Sequence, residues 1–367
     1  MRFAVVCLVA ALAFHSAPSA SFAQDLKKGV TELAHVDADY YTQGEYFGSV
    51  VFADGCCRSV GLQVVALGDG KFDALWYPGG LPGNGYDNTT RTKLSGGRSE
   101  TNVVLTADTM SIELQRGHAA VVKNSAGSVL GHLQKMHRTS STEGLAAPAN
   151  AIVLFDGKNT DRLKNAKVTS DGLLEIGAET KDPVQNFTLH AEFRTPYMPY
   201  AKGQARGNSG FYLQKRYEVQ VLDSFGLELQ FNDCASLYRF KAPDLNMSFP
   251  PLRWQTYDID FTAPKFDDDG KRTAKGRITV RHNGVVVHDH LELENKTGGG
   301  TPEGPNPLPI LLQNHGNPVH FRNVWLIDHD APPTASYSAN VPVAGCATEV
   351  APGCCAPSRV RRPLRCR

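Results

Sequence analysis

The sequence predicts an all-β protein, with a two-sheet sandwich preceded by a smaller all-β domain. Short runs of alternating apolar and polar residues recur along the chain, separated by turns rich in glycine, proline and asparagine. From about Ala151 to Asp328 we find no convincing helical periodicity, so packing of two sheets is the natural way to bury the apolar faces. An apolar fraction of 41% over 367 residues is sufficient for such a fold.

The length suggests two domains. Residues 24–140 are expected to form the smaller all-β domain, whose role the sequence does not define. Residues 141–150 have the composition of a linker, and residues 151–330 form the predicted sandwich. Within it, Asn283-Gly284 lies between two alternating runs and predicts a β-hairpin. Residues 331–367, rich in cysteine and arginine, have too few large apolar residues to build a core.

The first 23 residues have the pattern of a secretory signal peptide. Arg2 precedes an apolar run from Phe3 to Phe14, which is too short to span a bilayer comfortably. Ser21 and Ala23 are small residues suited to cleavage before Gln24. We therefore expect a secreted or periplasmic protein without a transmembrane segment. The net charge of +1 gives no reason to expect nucleic acid or an anionic membrane as a partner.

The chain has eight cysteines, and removal of the signal peptide takes Cys7. An exported protein can form disulfides, and the odd number that remains leaves at least one cysteine unpaired or in an intermolecular bond. Zinc is the competing explanation for the four cysteines near the C-terminus. Because there is no C-x-x-C pair and no histidine after His329, we favour disulfides or a disordered tail.

The stretch NSGFYLQKRYEVQVLD, from Asn208 to Asp223, contains the main candidate for catalysis. It has strand character, and side chains of a strand alternate between its two faces. One set is predicted to face the core and the other to place a carboxylate beside an amide, about 6.5–7 Å apart. The first set is Tyr217, Val219 and Val221, and the second is Glu218, Gln220 and Leu222.

The spacing of the acidic groups weakens the case for an ordinary glycosidase. Laminarinase-type glycosidases use a similar sandwich and have the pattern E-x-D-x-x-E with a bulge, whereas this chain has E-x-Q-x-x-D. Retaining hydrolysis needs two carboxyl groups about 5–5.5 Å apart. Asp223 would reach the face of Glu218 only across a β-bulge, and otherwise it is expected to hold the following loop.

Seven segments together resemble one known family. They are VLFDGKNTDRLKN, DGLLEIG, NFTLHAEFR, NSGFYLQKRYEVQVLD, RWQTYDIDF, HNGVVVHD and PILLQNHGNPVHFRNVWLI. Their order resembles that of the 3-keto-disaccharide hydrolase family, and the resemblance extends from about Ile152 to Ile327. It implies a concanavalin-like jelly roll that acts on sugars already oxidised at C3. The smaller domain and the tail are not covered.

The resemblance implies an exported enzyme that cleaves 3-keto-glycosides, with carbohydrate as its ligand. A 3-keto group acidifies the C2 proton, so one base can remove it; the enolate then expels the C1 substituent, and water addition completes a net hydrolysis. We expect Glu218 to be the base and place Arg194 and His315 beside it as further catalytic candidates. The substrate-binding candidates are Asn208, Gln220, Asp223, Tyr238, Gln313 and Arg322.

Two other functions stay open. One is a non-catalytic carbohydrate-binding or envelope protein of the same sandwich fold, and the other is a conventional glycosidase acting on unmodified glucans. The cofactor is not identified, and a divalent metal ion stays open. His315 is a candidate ligand; for His288 and His290, which share a predicted strand face, a plain polar face is the better explanation.

Overall fold

The structure, a computed structural model, describes residues 26–331. The all-β prediction is confirmed: within these residues the chain forms twenty-two β-strands, α1 (Ala38–Thr42), two 3-10 helices, Leu33–His35 and Gly203–Ala205, and a helical stretch at residues 26–28. None of the helices in this range has the length and apolarity needed to cross a membrane. The predicted signal peptide and nearly all of the predicted tail lie outside the described residues.

The first eight strands close into an antiparallel barrel in which sequence neighbours pair and β1 also pairs with β8. Apolar side chains such as Tyr46, Leu62 and Trp76 fill its interior. Glycine is required where β1 and β8 meet, because a Cβ at Gly48 would lie 2.2 Å from the backbone oxygen of His132. The strands are β1 Gly44–Val51, β2 Cys57–Ala66, β3 Lys71–Pro78, β4 Thr92–Ser99, β5 Asn102–Ala107, β6 Met110–Gln115, β7 Ala119–Asn124 and β8 Val129–Met136.

The other strands form a sandwich of two sheets and a short separate hairpin. The five-stranded sheet has the order β10-β12-β21-β14-β15. Its strands are β10 Leu163–Lys164, β12 Glu179–Thr180, β14 Ser209–Leu213, β15 Tyr217–Val221 and β21 Leu311–Leu312. The seven-stranded sheet has the order β11-β22-β13-β16-β19-β20, with β9 also paired to β22. Its strands are β9 Ile152–Phe155, β11 Leu174–Glu175, β13 Phe187–Arg194, β16 Gln255–Thr262, β19 Gly276–His282, β20 Val285–Leu293 and β22 His320–Asp328; β17 Lys265–Phe266 and β18 Arg272–Ala274 form the hairpin.

Aromatic side chains from both sheets form the core of the sandwich. Phe211 of β14 packs against Phe321 of β22 with ring centroids 5.4 Å apart, and Tyr217 of β15 packs against Phe261 of β16 at 5.5 Å. Such pairs add about 0.5–1.5 kcal/mol beyond the burial of their area. The core face predicted for β15 is therefore confirmed, but Leu222 also joins the core because the strand ends at Val221 and strict alternation ends with it.

The predicted hairpin at Asn283-Gly284 is confirmed. His282 pairs with Val285, so Asn283 and Gly284 alone connect β19 and β20. Their φ angles of +52° and +81° both lie in the left-handed region that a tight two-residue hairpin turn requires. Asparagine and glycine tolerate that region best, which explains why this pair predicts the turn so well.

Polar contacts join the barrel to the sandwich. The hydroxyl of Tyr200 donates to Asp69 at 2.9 Å, and Arg91 forms an ion pair with Glu228 at 2.9 Å. The segment from residue 140 to residue 145, within or beside the predicted linker, packs on the outer face of the seven-stranded sheet. For example, the backbone nitrogen of Gly144 donates to the buried carboxylate of Glu192 at 2.6 Å.

Candidate functional site

Glu218 lies on the outer face of the five-stranded sheet, beneath a layer of loops. Pairing of β14 with β15 sets Tyr212 opposite Glu218 and Gly210 opposite Gln220, so these four residues share one face. Glu218 is only 1% exposed. Its backbone nitrogen donates to the Thr297 hydroxyl at 2.6 Å, which ties the strand to the covering loop.

Two glycines leave room for the carboxyl group of Glu218. A Cβ at Gly210 would lie 2.7 Å from its Oε1 atom. On the loop side, a Cβ at Gly298 would lie 3.3 Å from its Oε2 atom and 2.6 Å from the ring of Tyr238. Gly298 has a φ of +39°, so its backbone also favours glycine. The carboxyl group therefore sits in a space kept clear from both sides, with Tyr238 at its border.

Burial sets the proton affinity of Glu218. It raises the pKa of the carboxyl group to about 7, and the hydrogen bond with Tyr212 opposes this increase only in part. Burial also raises the pKa of Tyr212, so the phenol keeps its proton and acts as the donor. The Oε2 atom of Glu218 is buried and has no hydrogen-bond partner in the described residues. A carboxyl group that is partly ionised at neutral pH is suited to removing a proton.

The amide of Gln220 lies next to this carboxyl group, and the side-chain oxygen of Gln204 links it to the amide of Asn208. When the nitrogen of Gln220 is turned toward the neighbouring acceptors, it donates to Oε1 of Glu218 at 3.1 Å and to the backbone oxygen of Ser209 at 2.7 Å. Asn208 donates to the backbone oxygen of Gln204 at 2.7 Å. The side-chain oxygens of Asn208 and Gln313 are buried and find no partner in the described residues. Unpaired buried oxygens of this kind can accept hydrogen bonds from the hydroxyl groups of a ligand.

Asp223 does not join Glu218. There is no bulge in β15, and the Asp223 carboxylate forms a buried ion pair with Arg206 at 2.7 Å. It also accepts from the backbone nitrogen of Phe225 at 3.4 Å. These contacts fit the alternative role of holding the loop after the strand, and the place of Asp223 in the substrate-binding set stays a prediction.

Arg194 and Arg322 lie on the opposite side of the sandwich. Both belong to the seven-stranded sheet, and their side chains flank the Trp254 ring, with Cζ atoms 5.0 and 4.0 Å from its centroid. Arg322 also forms an ion pair with Glu192 at 2.6 Å. Grouping these arginines with Glu218 is wrong, because β13 and β15 belong to different sheets with the core between them.

The predicted histidines do not form a metal site in the described residues. His315 is exposed in the loop after β21, two residues beyond Gln313. His288 is buried and bonds to the backbone oxygen of Ala235 at 2.8 Å, whereas a bulge leaves the side chain of His290 82% exposed, so the two do not share a face. Between residues 26 and 331, no group of three or more histidine, cysteine or acidic side chains is arranged to hold a metal ion.

Cysteine 234 belongs to the core rather than to the site. Its sulfur lies 3.2 Å from the hydroxyl of Tyr257, and the side chain is buried among apolar residues of the sandwich. Cys56 is an exposed thiol, and Cys57 is disulfide-bonded.

Sequence reasoning missed three residues of this site. Tyr212 could have been found, because strand parity puts it on the same side of β14 as Gly210, and pairing with β15 makes that side share the face of Glu218. Gln204, whose side-chain oxygen lies 2.9 Å from the Gln220 amide, and Gly298 come from loops distant in sequence. Neither loop has a local pattern that would bring it to this sheet.

Comparisons with known proteins place the sandwich among carbohydrate-related domains. Residues 150–327 match the family model of the 3-keto-alpha-glucoside-1,2-lyase-like domain. One crystal structure from Parabacteroides distasonis, named a "putative glycosyl hydrolase", is 35% identical, with 50% of this chain and 85% of that chain covered and a TM-score of 0.46. Two more of the same name and organism are 19% and 22% identical, cover 49% and 48% of this chain and 94% and 98% of theirs, and have TM-scores of 0.36 and 0.33. None of the curated proteins matches the chain.

Proposed function

We propose that this chain, which belongs through residues 150–327 to the family of 3-keto-alpha-glucoside-1,2-lyase-like domains, is a carbohydrate-active enzyme that cleaves 3-keto-glycosides. The observation that carries the proposal is the buried carboxyl group of Glu218, whose pKa of about 7 suits a general base at neutral pH. Family membership supports this substrate class, and the geometry around Glu218 supports a base of the kind that this chemistry needs.

The reaction begins with removal of the proton at C2. The carboxylate of Glu218 takes this proton, and the electrons of the C–H bond form an enolate with the C3 carbonyl. The enolate re-forms the carbonyl, a double bond forms between C1 and C2, and the C1 oxygen leaves with the electrons of its bond and is protonated. Addition of water across the C1–C2 double bond then gives the free 3-keto-sugar. One base is sufficient for these reaction steps.

Neighbouring groups are suited to binding the sugar. Tyr212 lies opposite Glu218 on the same face of the sheet, and its hydroxyl lowers the pKa of the carboxyl group against the effect of burial. The unpaired oxygens of Asn208 and Gln313 are available as acceptors for sugar hydroxyls. Tyr238 borders the carboxyl group and offers an aromatic face for stacking.

The surroundings of Glu218 favour one base over two carboxylates. The pKa of Glu218 is shifted by burial and by Tyr212, and no other carboxylate in the described residues contributes to that shift. Asp223, the nearest acid along the chain, is occupied by Arg206. A conventional retaining glycosidase would need a second carboxyl group about 5–5.5 Å away.

The proposal is tested by mixing the purified protein with a 3-keto-glucoside and following release of the aglycone. The wild type should release product, and Glu218→Gln should lose at least about a hundredfold in rate, which is the lower range for a general base. Glu100→Gln, which alters an exposed carboxylate on the barrel, is the matched control and should keep full activity. Equal rates for wild type and Glu218→Gln would contradict the proposed base.

Glycan binding without turnover is the second candidate function. It is favoured by Phe231 and Phe240, which are 50% and 40% exposed on the loop that also contributes Tyr238. Exposed aromatic rings of this kind suit stacking on sugars. Binding of unoxidised glycans combined with no turnover of any 3-keto-glycoside would support this function over the enzyme.

Export is a further part of the proposal. It rests on the signal-like pattern of residues 1–23. N-terminal sequencing of the protein recovered from the periplasm or the medium should begin at Gln24. Recovery of the intact chain from the cytoplasm alone would contradict export.

A further inference from the structure

A cleft of about 300 Å³ lies where the barrel meets the sandwich, and none of the residues of the Glu218 site lines it. This volume is within the range typical of small-molecule sites. The barrel contributes residues 43–45 and 135–138 together with His118, and the sandwich contributes Pro250, Leu252 and Arg253. The segment before the barrel adds Leu33 and the rings of Tyr40 and Tyr41, which meet edge to face with centroids 5.6 Å apart.

Positive charge accumulates in this cleft without a matching carboxylate. Burial, with a contribution from Arg253, lowers the pKa of Lys135 to about 8, and no carboxylate opposes this effect. Burial, Arg253 and Lys135 together lower the pKa of His137, and Glu45 opposes them only in part. The guanidinium group of Arg253 contacts the His137 ring rather than an acidic side chain. Lys135 and Arg253 are therefore two neighbouring cations with little compensation, whereas the lowered pKa of His137 leaves its ring neutral at neutral pH.

The single acidic residue that lines the cleft is already paired. Glu45 is 2% exposed and accepts from Arg138 Nε at 2.8 Å and from Gln63 at 2.9 Å. Arg138 in turn lies over the Phe249 ring at 5.3 Å and donates to a backbone oxygen. This pair is a buried structural element, so its carboxylate is not free to neutralise Lys135 or Arg253.

The chain holds Lys135 in place at the cleft. The ammonium group donates to the backbone oxygen of Tyr41 and lies 5.6 Å from the centroid of the Tyr46 ring. A Cβ at Gly44 would lie 2.9 Å from Cε of Lys135, and the φ of +139° at this glycine also disfavours a side chain. One lysine is thus fixed by its neighbours while its charge stays unpaired, which is costly unless an anion completes the site.

We propose that this cleft is a second ligand site, which binds a small organic anion through Lys135 and Arg253. The anionic group is a carboxylate or a phosphate, and the ring that carries it contacts Tyr40 and Tyr41. The site is separate from the Glu218 face, so the inference does not depend on the proposed catalytic function.

Isothermal titration calorimetry with the full chain tests this site. The probes are glucuronate and glucose 6-phosphate, which carry the two kinds of anionic group, with glucose as the neutral control and inorganic phosphate as the bare anion. We expect glucuronate or glucose 6-phosphate to bind at least about tenfold more tightly than glucose, because a hydrogen bond to a charged group contributes about 1.5–3 kcal/mol. The tighter of the two identifies the anionic group.

Variants distinguish the cleft from general attraction of anions. Lys135→Gln and Arg253→Gln should each weaken binding at least about tenfold. Lys93→Gln, at an exposed lysine elsewhere on the barrel, and Glu218→Gln should leave binding unchanged. Arg253 is partly exposed, so its variant keeps the test valid if the Lys135 variant fails to fold.

Three results would overturn the inference. The first is no binding of either anionic sugar. The second is binding of inorganic phosphate as tight as that of the sugar anions, which would show attraction of charge alone. The third is unchanged affinity in a folded Arg253→Gln protein.

Discussion

The raised pKa of Glu218 makes a quantitative prediction about stability. Replacing the carboxyl group by an amide in Glu218→Gln keeps nearly the same shape but removes the ionisable group. Burial raises the pKa from an ordinary 4.5 to about 7, so ionised Glu218 is less favourable in the folded protein than in the unfolded chain. At about 1.4 kcal/mol for each pH unit between these values, the full cost is about 3 kcal/mol.

The direction of the pKa shift determines how the contribution of Glu218 to the free energy of unfolding changes with pH. Between about pH 4.5 and pH 7 the folded state binds more protons at Glu218 than the unfolded state, so the contribution of this residue to stability falls as pH rises. The cost is about 1 kcal/mol at pH 5 and about 3 kcal/mol at pH 8. We therefore expect the stability of Glu218→Gln relative to wild type to increase by about 2 kcal/mol between these pH values.

Guanidinium unfolding followed by tryptophan fluorescence measures this difference. Trp254 and Trp325 report on the sandwich, and Trp76 reports on the barrel. Glu100→Gln is the control for loss of an exposed charge and should not show the trend. A free-energy difference between Glu218→Gln and wild type that does not change from pH 5 to pH 8 would refute the reasoning.

Three further predictions concern residues next to Glu218 and the loop after its strand. Tyr212→Phe removes a hydrogen bond that lowers the pKa of Glu218, so the acid limb of the kcat/KM profile should move to higher pH; an unchanged profile would argue against that hydrogen bond. Gly210→Ala places a Cβ 2.7 Å from the Glu218 carboxyl oxygen, and turnover should fall while circular dichroism stays that of a folded protein; full activity would show that the carboxyl group can move without loss. Asp223→Asn leaves buried Arg206 without its charged partner and should cost about 3–5 kcal/mol in denaturant unfolding, so a loss below about 1 kcal/mol would contradict a structural role.

Local patterns predict much of this fold because they are governed by neighbouring residues. Alternation in β15 predicts which side chains reach the core, and Asn283-Gly284 predicts the turn between β19 and β20. Closure of the barrel through the pairing of β1 with β8 is different. It joins strands that are distant in sequence, and no local pattern specifies that pairing.

The candidate site also contains residues that a local pattern predicts and residues whose position depends on tertiary packing. Glu218 and Gln220 could be assigned to one face because they belong to a single strand. Arg194 could not be placed by the same reasoning, since its strand character does not tell which of the two sheets contains it. Burial of Glu218 also depends on the loop of Thr297 and Gly298, whose position is set by tertiary packing rather than by its own residues.

A kinetic isotope effect tests the central claim that Glu218 removes the C2 proton. The substrate is a 3-keto-glucoside with deuterium at C2, compared with the same compound carrying hydrogen in single-turnover kinetics with wild-type protein. We predict slower cleavage of the deuterated compound and appearance of solvent hydrogen at C2 of the product. Cleavage at equal rates, with the C2 deuterium fully retained, would contradict proton abstraction and with it the role assigned to Glu218.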